Sequence, residues 1–395
     1  MKQNDNYMLH ELNGVPYLLP FGQGVADLRR GVRINRTGAY IWDLLDTEIT
    51  EEQILSLCAA HFHAADEELP QLQADILQFL NSLRLWGLLQ EGSCPAAPAA
   101  GDRYLSIGGL TLSFTGPEKY FSADFSAFCI PAVSPDAIDQ RFELRPFAPG
   151  SHPLGRILLR NSQLLVLENE VGYILVFPAA ESPLEIRLSS DGSQVLIFAG
   201  GEPTELFVKD IFHAIRLCYL FLAQRKGLFA LHSASLLYRD HIWLFSGHSG
   251  AGKSTHTNLW KRLLQVPLVN GDLNLLELSA AQSPRVHGLP WCGTSEISTP
   301  GLWPLGGIVF LRQAPSDTVE QLPEEEKQLL VAQHLISPVW TREQAALNLH
   351  GAETASRRLL ICRLCCTKES TAVDTVRAVM DQWLDGLTST ASSAP

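Results

Sequence analysis

The densest chemistry in the chain lies at Gly247, His248, Ser249, Gly250, Ala251, Gly252, Lys253 and Ser254. Their order is G-x-x-x-x-G-K-[ST], the pattern of a phosphate-binding P-loop. Gly247, Gly250 and Gly252 lack a Cβ, so the backbone can curl and aim its N–H groups inward at an anion. Lys253 can reach the β- and γ-phosphates of a nucleotide, and Ser254 can hold a magnesium ion. The expected ligands are ATP and Mg2+, held by Gly247, Ser249, Gly250, Ala251, Gly252, Lys253, Ser254 and Thr255. A plain glycine-rich turn is the alternative, and the setting counts against it. His241, Ile242, Trp243, Leu244 and Phe245 read as a buried strand, and residues 255–264 place apolar side chains at helical spacing. A helix N-terminus behind the loop adds partial positive charge where phosphates would sit.

Phosphoryl transfer also calls for an acid near the loop. Asp272 ends the apolar run that starts at Val266, and an acid at a neighbouring strand end holds or orients the metal in P-loop proteins. Asn270, Gly271 and Asp272 equally spell an ordinary turn. His232 lies on an apolar strand over residues 228–237, where a lone histidine is ordinarily a satisfied core residue. Glu296 closes a loop of Gly293, Thr294 and Ser295 and is a second candidate metal ligand, beside Ser254 and Asp272. Trp291 and Cys292 either line an acceptor site or pack beneath it; Cys292 as a nucleophile has no base partner in view. His248 and His256 help shape the loop and the first helix turn. Cys362, Cys365 and Cys366 fall in an apolar run that reads as a core strand, with no second cysteine pair to complete a zinc site.

The elements that must position these groups are bounded by composition. A chain of 395 residues suggests two or three domains, and 46% hydrophobic against 18% charged residues supplies a sizeable core. A net charge of −12 argues against general nucleic-acid binding, because phosphate backbones attract basic surfaces. The first residues are polar, without a signal-peptide pattern, and no stretch reads as a membrane span. Residues 211–222 come nearest, but His213 and Arg216 interrupt them, so they read as a buried helix. Free cysteines and no export signal point to a cytoplasmic protein. A homo-oligomer is compatible with all of this.

Residues 1–92 form a first unit. Asn13-Gly14 between short apolar runs signals a hairpin. Asn35 and Thr37 offer caps for a helix over residues 39–45, and Thr50 with Gln53 makes a capping box for a second. Leu69, Leu72, Ile76, Leu77, Leu80 and Leu83 give a third helix, capped at Gly87, and Leu88-Leu89 starts a wing strand. The expected module is winged-helix-like. Its third helix opens on Asp66, Glu67 and Glu68, the wrong sign for a DNA groove.

Residues 93–102 are a linker of small residues and proline. Residues 103–205 alternate apolar runs with turn residues and read as a mostly antiparallel sheet. Residues 206–387 carry the P-loop, with a helix over 204–224 at their start, polar helix-prone residues at 313–358, a solvated acidic run at 320–326 and a closing amphipathic helix at 371–387. Residues 388–395 read as a disordered tail.

Two family resemblances follow from these residues. Asn35 to Leu45, Thr50 to Ile54 and Phe79 to Leu89 together resemble the PqqD-type peptide chaperone, also called the RiPP recognition element. That resemblance implies binding of the leader of a ribosomally made precursor peptide, added as a strand between the hairpin edge and the third helix. Other maturation enzymes are implied partners.

His232, the P-loop and Asp272 together resemble HPr kinase and its relatives, which share the phosphoenolpyruvate-carboxykinase-like fold. The whole is then an α/β (α+β) protein, a PqqD-like module followed by a P-loop domain with a mixed β-sheet. The resemblance implies catalytic roles for Asp272, His232 and Lys253. The family carries paired aspartates where this chain has Gly271-Asp272, which leaves the base role, the metal role or both to Asp272. The expected activity is a Mg-ATP-dependent kinase acting on a serine or threonine of a precursor peptide, with GTP or pyrophosphate as other conceivable donors. The alternatives are a non-catalytic nucleotide-binding peptide chaperone, an HPr-type serine kinase/phosphorylase, and ATP-dependent activation of a peptide carboxylate.

Overall fold

In a computed structural model the structure describes residues 2–3, 7–21, 31–47, 49–65, 68–85, 88–90, 102–147, 155–279 and 282–391. The Asp66 and Glu67 charges, the Gly87 cap, a turn at Gly150 and nearly all of the linker lie outside them. The chain divides into two compact units, one of Met1–Ala97 with Pro146–Arg156, the other of Pro98–Arg145 with Ile157–Pro395.

In the first unit, Tyr7–Leu12 and Val15–Pro20 pair antiparallel around Asn13 (φ 52°) and Gly14 (φ 76°), the left-handed pair that a two-residue hairpin turn requires. Val32–Arg33 adds a third strand beside Val15–Pro20. The first helix, Arg36–Leu44, starts earlier than expected because Asn35 caps it, its Oδ1 accepting Gly38 N–H at 2.7 Å. Thr50 and Gln53 form the capping box of Glu51–Phe62. In the third helix, Leu69–Leu85, the buried stripe includes Ile76, Leu80 and Leu83, which meet Leu18, Ile41, Trp42 and Ile54 in one core. Leu89–Gln90 is not a wing. It pairs antiparallel with Lys2–Gln3 at the chain start, because Leu88 and Leu89 are drawn into that same core.

The second unit holds two sheets. Nine strands run in the order Arg156–Arg160, Leu165–Glu168, Gly172–Val176, Leu184–Ser189, Gln194–Ala199, Gln140–Pro146, Leu110–Thr115, Asp102–Ile107 and Cys129–Ile130. The pairings within residues 165–199 and around Asp102–Ile107 are antiparallel, while Leu110–Thr115 runs parallel to Gln140–Pro146.

The other sheet is mixed. Leu228–Tyr238 pairs antiparallel with His241–Ser246, Leu268–Asn270 and Leu273–Glu277. The long strand Leu302–Gln313 is shared between neighbours. Its first residues lie antiparallel to Arg285–His287, and its later ones parallel to both His241–Ser246 and Leu360–Cys366. The helix Glu205–Arg225 packs against strands of both sheets, which explains why it is apolar on nearly every side. Thr204 caps it, and Gly227 (φ 78°) turns the chain into Leu228–Tyr238.

Within residues 320–326, Glu324 and Glu325 are exposed as a solvated run requires, while Glu320, on the strand Thr318–Gln321 opposite Arg363, and Glu326 both pair with that arginine. The closing helix runs Thr371–Ala391, taking in the first four residues of the expected tail, since no proline or glycine follows Gly386 before residue 395 to stop it. Among the described residues, no helix is long and apolar enough to cross a membrane.

Candidate functional site

The strand His241–Ser246 is buried from Ile242 to Ser246, so its end is fixed by packing. Ser246 Oγ donates to His232 O at 2.7 Å and locks the ends of two strands at one level. The glycine loop leaves from that point. A Cβ on Gly247 (φ 150°) would stand 2.9 Å from the Ala251 Cβ and 3.2 Å from Leu311 O, so only glycine lets the loop lie down on the neighbouring strand. Gly252 (φ 103°) opens the helix Lys253–Leu264 in the left-handed region, and no side chain caps that helix. Its first amides therefore face outward as unpaired donors. Ser254 and Thr255 are exposed there. Gln313 Nε2 donates to Gly250 O at 3.0 Å, and His248 Nδ1 lies 2.7 Å from Ser249 O. Lys253 Nζ donates to Gly247 O at 3.2 Å, a lysine folded back on its own loop. Burial lowers its pKa, and the Asp272 charge opposes that.

Asp272 is placed by Asn270, whose importance the sequence did not reveal. The Asn270 Oδ1 accepts the N–H groups of Asp272 and Leu273, each at 2.9 Å. Its Nδ2 donates to Leu289 O at 2.9 Å and to Trp291 O at 3.4 Å. The turn is thus an Asx turn, fully bonded and buried, and it presents the next carboxylate. His232 Nε2–H donates to Asp272 Oδ1 at 3.1 Å, with both side chains about one-third exposed (33% and 35%). His232 is the partly open position in an otherwise buried stretch of its strand. That hydrogen bond is the main reason Asp272 titrates below the usual carboxylate range; burial works against it, and the charges of His232, Arg216 and Lys253 help.

The single aspartate has a steric explanation. A Cβ on Gly271 would come within 2.0 Å of Ser295 Oγ, and one on Gly293 (φ 61°) within 2.9 Å of Asp272 Cβ. The turn at 270–272 and the loop at 292–296 interlock, and Ser295 occupies the room a side chain at 271 would need. Ser295 Oγ in turn donates to Cys292 O at 2.7 Å.

Trp291 packs beneath the site. It is 1% exposed, and its Nε1 donates to Phe212 O at 3.1 Å. Burial, with Asp124 nearby, raises the Cys292 pKa, which suits a protonated thiol rather than a nucleophile. Glu296 is exposed, in the left-handed region (φ 56°). Among the described residues no three His, Cys, Asp or Glu side chains converge as metal ligands, so Glu296 does not join His232 and Asp272 in such a group. Cys362, Cys365 and Cys366 are buried in the strand Leu360–Cys366.

The structure adds Arg216 and His213, one turn apart on Glu205–Arg225, to the charged surroundings of Asp272. In the sequence they registered only as interruptions of an apolar helix. Arg216 is half-buried and His213 exposed; partial desolvation lowers the pKa of both, and Asp272 acts on each in the opposite sense.

In the first unit, the strand Tyr7–Leu12 is the outer edge of its sheet, with Met8 and Leu12 exposed. The cleft beside it, about 590 Å³, is lined by Tyr7, Met8, Phe21 and, from the first helix and just after it, Trp42, Asp43 and Asp46. Residues 25–89 match the family described as Coenzyme PQQ synthesis protein D (PqqD). The first unit thus contains a PqqD domain, which supports an N-terminal RiPP recognition element. No curated protein matches the chain.

Proposed function

We propose that the chain is a Mg-ATP-dependent phosphotransferase that modifies a serine or threonine of a ribosomally made precursor peptide, held through its leader by the PqqD domain. The observation that carries this reading is the Asp272 carboxylate, ionised and hydrogen-bonded to His232, in electrostatic reach of Lys253 at the head of an uncapped glycine-loop helix.

The chain's residues divide the work. The loop amides and Lys253 hold the phosphates. Ser254 and Asp272 fit a magnesium ion, whose chemistry is to neutralise charge on the phosphate oxygens. The acceptor hydroxyl oxygen forms the new bond to the γ-phosphorus. The bond from that phosphorus to the bridging oxygen breaks, its electron pair leaving on ADP, and the hydroxyl proton passes to Asp272. His232 occupies Oδ1, which leaves Oδ2 to take that proton.

The test is to search the genomic neighbourhood for a short precursor peptide, incubate a synthetic copy with the full-length protein and Mg-ATP, then weigh the peptide. A phosphate-sized gain supports the kinase. Nucleotide transfer or loss of water supports carboxylate activation instead. ATP binding with an unchanged peptide supports the nucleotide-binding chaperone, a reading favoured by the single carboxylate at 271–272. Absence of ATP binding would sink all three.

A further inference from the structure

Arg216 lies in the middle of Glu205–Arg225, four residues after Phe212 and three before Tyr219. Both of those rings pack against Trp291, at centroid distances of 5.6 and 5.4 Å, directly under the turn that presents Asp272. This stretch of the helix therefore faces the site from below. Arg216 is half-buried there, and a cation partly withdrawn from water normally has a carboxylate partner, because desolvating a charge is expensive. Among the described residues Arg216 makes no hydrogen bond and no ion pair, and Asp272 is the one charge that offsets its burial. Asp272 does not close on it. The contact of that carboxylate is with His232, and Lys253 also acts on it from a distance while bonding to Gly247 O. His213, on the same face, feels Arg216 and Asp272 alike. Arg216 is thus a half-buried cation in electrostatic reach of Asp272, with no bonded partner of its own among the described residues, and is open to an anion brought to the site.

We propose that Arg216 is a catalytic residue that grips the transferring phosphoryl group from the acceptor side, opposite Lys253. The inference rests on the phosphotransferase reading above. A guanidinium presents a planar fork of N–H donors that fits two phosphoryl oxygens at once. As the acceptor oxygen bonds to phosphorus and the bond to ADP breaks, negative charge spreads over the three equatorial oxygens, and Arg216 donates hydrogen bonds to them. It stays protonated throughout and gives up no atom. Lys253 serves the donor phosphates and Asp272 takes the hydroxyl proton, so each group has a separate task.

The test uses full-length protein and its Arg216→Ala and Arg216→Lys variants. Binding of ADP alone, and of ADP with aluminium fluoride and Mg2+ (a mimic of the phosphoryl group in flight), is measured by calorimetry. The expected result is ADP affinity within about twofold of the parent in both variants, which also reports that they are folded. The aluminium fluoride complex should be weakened about 100-fold in Arg216→Ala and only partly restored by lysine. With the precursor peptide, kcat should fall about as far while the nucleotide KM holds. An alanine variant that keeps the trapped complex at parental strength overturns the role of Arg216 and leaves the phosphotransferase reading standing. So does a variant that loses ADP itself to the same degree, since Arg216 would then be a ground-state ligand. If alanine does not fold, a lysine variant that traps as tightly as the parent overturns the role equally. A parent protein that binds neither ADP nor the trapped complex overturns both proposals.

Discussion

Asp272 has one oxygen committed to His232, and a Cβ added at Gly293 would crowd its side chain. Its environment and its neighbours' lack of bulk matter together. Asp272→Asn keeps the size and removes the proton acceptor, so transfer should fall by about 100-fold or more while nucleotide affinity stays within a few-fold. Lys253→Ala should weaken both. Parallel calorimetry and turnover measurements check this, and full activity in Asp272→Asn would remove the base role. Gly293→Ala puts a Cβ 3.3 Å from Oδ2 at a backbone angle that favours glycine. It should cost about tenfold in kcat with nucleotide binding intact, read by the same two assays. The candidate residues stand out in the sequence because each type is scarce in its setting: a lysine after glycines, an acid at a strand end. Asn270 and Arg216 were not, because an asparagine before glycine already has a sufficient turn explanation, and an arginine in an apolar helix shows its purpose only when the facing loop is in place.

At the scale of elements, the helix Glu205–Arg225 and the loop at 289–296 are joined through Trp291. Its ring packs on Phe125, Phe212 and Tyr219, and its carbonyl accepts from Asn270. Trp291→Ala should lower stability by about 3–5 kcal/mol, the range for emptying a large aromatic site in a packed core, measured as a fall in urea midpoint. Trp291→Phe keeps most of the packing and loses one indole hydrogen bond, so it should cost only about 1 kcal/mol. Equal losses in the two would mean the bond, not the packing, holds the loop. Most elements were readable from local signals. Asn35 and Thr50 cap where cap chemistry requires, and Asn13-Gly14 turns as its φ preferences dictate. The pairing of Leu89–Gln90 with Lys2–Gln3 was not readable, because partners nearly ninety positions apart leave no local trace.

At the scale of the whole molecule, two buried histidines, His256 and His287, and the half-buried His334 tie stability to acidity. Burial pushes the His256 pKa down to about 4, and those of His287 and His334 down as well. Each group binds a proton more readily unfolded than folded. Their contribution is complete above about pH 6.5, the ordinary histidine value, and drains away as the pH falls. For His256 the loss runs down to about pH 4 and amounts to about 3 kcal/mol. Denaturation followed by tryptophan fluorescence should show stability dropping between pH 6.5 and 5, with a shallower drop in His256→Gln; the same slope in both would exclude His256 as a source.

The strand Leu302–Gln313 flanks the glycine-loop strand on its second side, some sixty residues downstream of it. Gly247 rests against Leu311, and Gly250 is tied to Gln313. On a ribosome, then, the cradle cannot set until the polypeptide has been made at least that far. A parallel partnership over such a span is slow to form, and the nascent loop waits unbraced meanwhile. Truncations ending before residue 313 should carry the full eight-residue signature and still fail to retain nucleotide.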